Sequence, residues 1–239
     1  MKVLSKNDLE QIASRVWKAY QKLPQFQNEL ITRVNPLTLV TDVLGLDIQY
    51  HHLSKQGNIL GVTAPCEIVY QAFTEDYEQK DVPLDGKTIL IEKDLKEDIR
   101  QKGRCHFTIA HEASHQIFKM LYPKEYEIGS KHPKFRYYLS DSEYRKPITD
   151  WEEWQANTLG ALLLMPEEIV RQAMRLLNLP GKIKTLNKIF YPKIYERFMD
   201  MANFLGVSGK ALSIRLRQLG LLENDYYEHP DTAADIWKI

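Results

Sequence analysis

Cysteine is scarce in this chain and net charge is absent. Two cysteines in 239 residues, Cys66 and Cys105, cannot build a disulfide framework. Lysine plus arginine and aspartate plus glutamate number 32 each, which excludes a body that binds nucleic acid by overall charge and leaves only a local basic patch. Apolar runs such as Ala161 to Met165 fall far short of the ~18 residues of a spanning helix. Ser5-Lys6-Asn7-Asp8 follows Met1 to Leu4 at once, with no apolar stretch of the signal-peptide kind. Internal repeats and low-complexity tracts are missing too. A cytoplasmic protein with no membrane partner is the expectation. Hydrophobic residues at 44% and charged residues at 27% are ordinary globular values. A chain of this length buries roughly 70–75% of its unfolded surface and needs no staples to fold.

Helical periodicity opens the chain. Ser5 with Asp8 three residues on forms a near capping box, and Leu9, Ile12, Ala13, Val16, Trp17 and Tyr20 recur on one face. A short second helix is expected after Asn35-Pro36, ending at Gly45. Residues 46–92 carry β-type runs at 46–50, 59–63, 68–70 and 88–91, which predict one small sheet of three or four strands. From 104 to 121 the pattern turns helical, with Phe107, Ala110, Ser114, Ile117, Phe118 and Leu121 on or near one face. Residues 123–149 lack periodicity and read as an excursion. A helix over 150–165 and another beginning at Pro166-Glu167-Glu168 follow.

The chemistry lies in His111-Glu112-Ala113-Ser114-His115. Histidines four apart on a helix point the same way, so both imidazoles reach one ion. Glu112, one position round, sits beside that ion as a base rather than on it, the pattern of a zinc hydrolase. The competing interpretation is a surface helix with two solvated histidines. Zinc requires a third protein ligand. The extended motif with a third histidine is absent, and Phe118 and Leu121 occupy its places. Candidates are His132, Asp141, Glu143, Asp150, Glu152 and Glu153. Spacing favours Glu153, with Asn157 one turn on to orient a ligand histidine and small residues along the same side. Glu152 is a rival rotated about 100° away. An acidic first turn stabilised by the helix dipole would explain both glutamates without any metal. Two histidines and a carboxylate suggest zinc before manganese or iron.

Two blocks carry a resemblance. Phe107-Thr108-Ile109-Ala110-His111-Glu112-Ala113-Ser114-His115 and Glu153-Trp154-Gln155-Ala156-Asn157-Thr158-Leu159-Gly160-Ala161-Leu162-Leu163-Leu164-Met165-Pro166 resemble, in the same order, the two motif blocks of the ImmA/IrrE family of metallopeptidases. Leu159-Gly160 stands where that family has Phe-Ala, and the stretch between His115 and Glu153 is longer than its usual one. The resemblance implies a zincin-like core holding Zn2+, with His111, His115 and Glu153 as ligands and Glu112 as base. It implies an endopeptidase acting on a regulatory protein, often a helix-turn-helix DNA-binding repressor encoded with it in phages and mobile elements, and so a part in transcription regulation. The donor that would stabilise the transition state is not named by it. His132, Tyr137 and Tyr138 are candidates.

Residues 194–222 read as a helix pair around Gly206-Val207-Ser208, with spacing like a helix-turn-helix and a small positive balance. Lys210, Arg215 and Arg217 are candidate contacts to DNA or a protein partner, if they share an exposed face. Packing or partner docking is favoured over DNA there. Cys105 reads as core, His106 as surface, His51-His52 as a solvated strand end, and Trp151 and Trp154 as packing residues. The expectation is an α+β fold: a zincin-like metallopeptidase domain over 1–180, a helical helix-turn-helix-like module over 181–225, and a tail over 226–239. The alternative is a non-catalytic regulatory or toxin–antitoxin partner that binds protein or DNA, its metal site structural or inactive. An intact Glu112 favours the enzyme.

Overall fold

A computed structural model describes residues 3–126 and 147–225. The expectations that fall on His132, Tyr137, Tyr138, Asp141, Glu143 and the tail from 226 lie outside the described residues. The chain is a mixture of helices and small sheets and divides into two compact units. Unit 1 comprises residues 1–29 and 35–163, and unit 2 comprises 30–34 and 164–239.

Unit 1 opens with α1 (Lys6–Gln21), whose capping box forms as its sequence dictates. The Ser5 side chain accepts from the Asp8 backbone, and the Asp8 side chain accepts from the Ser5 backbone. Leu9, Ala13 and Tyr20 are its buried residues. The expected second helix is one turn, α2 (Pro36–Thr38), that widens into a π-type turn over Leu39–Val43. Asn35 caps it, and Gly45 leaves it in the left-handed region at φ +63°.

Residues 46–92 form five strands in two sheets, rather than one sheet of three or four. β1 (Asp47–His51), β2 (Gly61–Thr63), β3 (Glu67–Phe73), β4 (Gln79–Asp85) and β5 (Thr88–Glu92) follow in chain order. β5 is central, parallel to β1 and antiparallel to β2, and every residue in it is buried. β3 and β4 make a separate antiparallel hairpin. Leu53, Val62, Tyr70, Val82, Leu84 and Leu90 fill the core that the hairpin shares with the sheet. The buried Tyr70 hydroxyl donates to the Leu53 carbonyl at 2.7 Å.

A short α3 (Lys93–Glu97) leads to α4 (Lys102–Leu121), which lies against β2 and β5. Cys105, Ala110, Ser114, Ile117 and Phe118 are buried as expected, but Leu121 is exposed. α5 (Pro147–Leu164) begins three residues before the expected 150. Gly160 permits its close approach to α4: a Cβ there would lie 3.2 Å from the His111 backbone nitrogen and 3.3 Å from the Ala110 carbonyl carbon.

Unit 2 holds α6 (Glu167–Leu176), β6 (Ile183–Leu186), α7 (Pro192–Leu205), α8 (Gly209–Gln218) and β7 (Leu222–Asp225), with β6 and β7 parallel. Its division from unit 1 falls at Leu164, earlier than the expected 180. The buried face of α6, Ile169, Val170, Ala173 and Met174, explains the difference, because α6 packs with α7. Gly206 closes α7 in the left-handed conformation, and Ser208 caps α8 through the Ala211 N–H. Among the described residues no helix is long and apolar enough to cross a membrane.

Candidate metal centre

His111 and His115 occupy successive turns of α4, and α5 lays Glu153 across them. The His111 and His115 Nε2 atoms are 3.2 Å apart. Glu153 Oε2 is 3.2 Å from His111 Nε2, and its Oε1 is 3.5 Å from His115 Nε2. Zinc bonds of 2.0–2.1 Å in tetrahedral geometry require donors ~3.3 Å apart, so the three residues fit that ion. Spacing along one helix joined the two histidines. Among the described residues, the packing of α5 brings Glu153 to the two histidines.

The far side of each imidazole is also engaged. Asn157 Oδ1 lies 3.1 Å from His111 Nδ1, the orienting contact expected from its position one turn after Glu153. Glu152 Oε1 lies 3.8 Å from His115 Nδ1, so Glu152 backs a histidine rather than joining the three converging donors. The tandem Glu152-Glu153 was legible as acidic, but the division of labour between the two depends on how α5 is rotated.

Glu112 is buried beside the histidines, and its Oε2 has no hydrogen-bond partner among the described residues. Burial pushes its carboxyl above the ordinary range, while the charges of His111 and His115 pull the other way. Burial alone would lower the His111 value, but its hydrogen bond to Glu153 and the charges of Glu112 and Glu153 outweigh it and leave it raised. Burial likewise works against the charged form of Glu153, yet its bond to His111 and the positive field of both histidines hold it low. His111, His115 and Glu153 thus lie close enough together to hold a cation.

Two residues unnoticed in the sequence frame this site. Gln116 is buried in α4 and donates to Thr63 Oγ1 and to the Ala64 carbonyl at 2.8 Å, which ties β2 to the motif helix. Gly61 of β2 faces Glu112 and Thr108 directly. No local signal identifies either, because their partners lie about fifty residues away in the chain.

Elsewhere several expectations change. His52 is not a solvated strand end. It is 14% exposed, and its Nδ1 and Nε2 lie 3.1 Å from Glu92 and Glu75. His52, Glu92 and Asp94 also lie close enough to hold a cation. The Glu92 oxygens, however, already accept from the Leu53 and Lys93 backbones, and Lys93 pairs with Glu75. The group is a closed ion-pair network. Trp151 and Trp154 stack on each other with centroids 4.7 Å apart and remain about two-fifths exposed, so they are not core packing. Arg215 is buried and donates from Nε to the Met165 carbonyl at 3.0 Å. It therefore does not share an exposed face with Lys210 and Arg217, which are both exposed. Compared with known proteins, the chain matches no family model and no curated protein.

Proposed function

We propose that this chain is a zinc-dependent endopeptidase with a zincin-like core, of the ImmA/IrrE kind its two motif blocks resemble. The observation that carries the reading is the convergence of His111, His115 and Glu153 with a buried carboxylate, Glu112, beside them. A structural metal site has no need of such a base. Zinc held there would polarise a peptide carbonyl and bring the pKa of a water toward ~7. Glu112 takes the proton of the attacking water and passes it to the leaving amine. Asn157 holds the His111 imidazole so that its Nε2 faces Glu153. On this reading the substrate is a regulatory protein such as a helix-turn-helix repressor, and the compartment is the cytoplasm.

The test joins metal content to cleavage. Purified wild type should carry about one zinc per chain, and His115→Ala and Glu153→Ala should lose it. A proteome-derived peptide library should yield zinc-dependent cuts with the wild type. Glu112→Gln should keep its zinc and cut about 100-fold to 10,000-fold more slowly. Cleavage by Glu112→Gln at the wild-type rate would overturn the assignment.

One observation favours a second function for unit 2. Lys210, Ile214 and Arg217 lie exposed along one side of α8, at helical spacing. On this reading the α7–α8 pair is a helix-turn-helix-like module that docks a protein partner or DNA. Duplex DNA tested by fluorescence anisotropy separates the two. A charge-driven DNA contact weakens steeply with salt and with Lys210→Ala/Arg217→Ala.

A further inference from the structure

We infer that Gly61 is the positioning residue for Glu112: the space a side chain would fill on β2 is the space the carboxylate occupies. The inference rests on the peptidase reading for its catalytic part. A Cβ built on Gly61 would lie 2.7 Å from both Cγ and Oε1 of Glu112, and 2.8 Å from Cγ2 of Thr108. These separations are too short for any real contact, so something must move. Gly61 has no left-handed φ, so its backbone admits alanine and the glycine answers to space alone.

What moves is decided by the surroundings. β2 is paired to β5, with Gly61 opposite Ile91, and Gln116 fastens its far end to α4. Neither backbone can retreat without breaking buried hydrogen bonds. Thr108 and Glu112 stand one turn apart on the same helix, which β2 and β5 both contact. The Glu112 side chain is therefore the part that yields, and it yields by leaving its buried place. A single methyl group, distant in sequence from the motif, would displace the base while leaving His111, His115 and Glu153 in place. β2 thus serves as a mould for the base.

The experiment uses the full chain in a Thr108→Ser background, which removes the second collision. Gly61→Ala is compared with and without Glu112→Ala, in the metal-free protein, by thermal unfolding. With Glu112 present, Gly61→Ala should lower the unfolding temperature by about 3 °C or more. With Glu112→Ala it should lower it by less than about 1 °C. Equal losses in the two backgrounds would overturn the inference. The zinc-loaded chains are then assayed on the best-cut peptide of the library. Gly61→Ala should retain its zinc, lose about 100-fold in kcat and keep KM within about threefold. An unchanged kcat, or a loss of rate that follows loss of zinc, would also overturn it. If the wild type cuts no peptide, the peptidase reading falls by itself. The unfolding cycle then decides whether Gly61 sets the place of Glu112.

Discussion

The His111 ring is held at the nitrogen that faces away from Glu153, whereas Glu152 lies 3.8 Å from the corresponding nitrogen of His115. Asn157 has no charge to offer a metal, so its value lies in fixing the His111 ring. Asn157→Ala should weaken zinc binding about 10- to 100-fold, read by competition with a chelator, without abolishing it. A stronger loss would make Asn157 a ligand, and no loss would make the contact incidental. His52 shows the same physics in a second network. Its hydrogen bond to Glu75 raises its proton affinity, burial opposes this, and Glu92 adds to the rise. Asp94 also faces it, at 3.9 Å, and Lys93 sits on Glu75. The folded chain thus holds a proton that the unfolded chain releases above the ordinary value of 6.5. The resulting stability is present below that value and is lost as pH rises through the higher folded value. The urea midpoint of the metal-free chain should therefore fall between about pH 6 and pH 8, and His52→Gln should flatten that part of the slope.

At the scale of elements, α4 and α5 meet closely because Gly160 offers no side chain toward the backbone of Ala110 and His111. A glycine inside a helix ordinarily costs ~1 kcal/mol relative to alanine. At this position Gly160→Ala should bring none of that gain, because the new methyl crowds backbone atoms that cannot turn aside. Gly160→Val should separate the helices, lower the unfolding temperature and weaken zinc together. Zinc affinity that survives Gly160→Val would show that Glu153 does not depend on this packing. Helix α1 behaves oppositely. Its start is written in Ser5 and Asp8 alone, so it was legible, and Ser5→Ala should cost about 1 kcal/mol by urea unfolding. β4 was not legible. Gln79-Lys80-Asp81-Val82-Pro83-Leu84-Asp85 is polar and carries a proline, and only Val82 and Leu84 are buried. Its strand character comes from pairing with β3, where an edge tolerates Pro83.

At the scale of the molecule, the candidate centre belongs wholly to unit 1, and α7 and α8 belong to unit 2. A ligand that binds only the folded form stabilises it by about 2.7 kcal/mol at one hundred times its dissociation constant. Zinc should therefore slow amide hydrogen exchange in α4 and β5 and leave α7 and α8 unchanged. Equal slowing in both units would contradict a metal centre confined to unit 1. What is local could be read from the residues alone: the cap of α1, the histidine pair on one helical face, the glutamate beside it, and the serine that starts α8. Backbone spacing and side-chain capping act within four residues, so periodicity reveals them. Contacts between distant segments set which of two adjacent glutamates joins the histidines, which arginine is buried, how the strands divide between two sheets, and how near β2 comes to Glu112. Those outcomes depend on rotation and close approach between segments tens of residues apart. Packing at fixed density settles them, and no short window of sequence contains it.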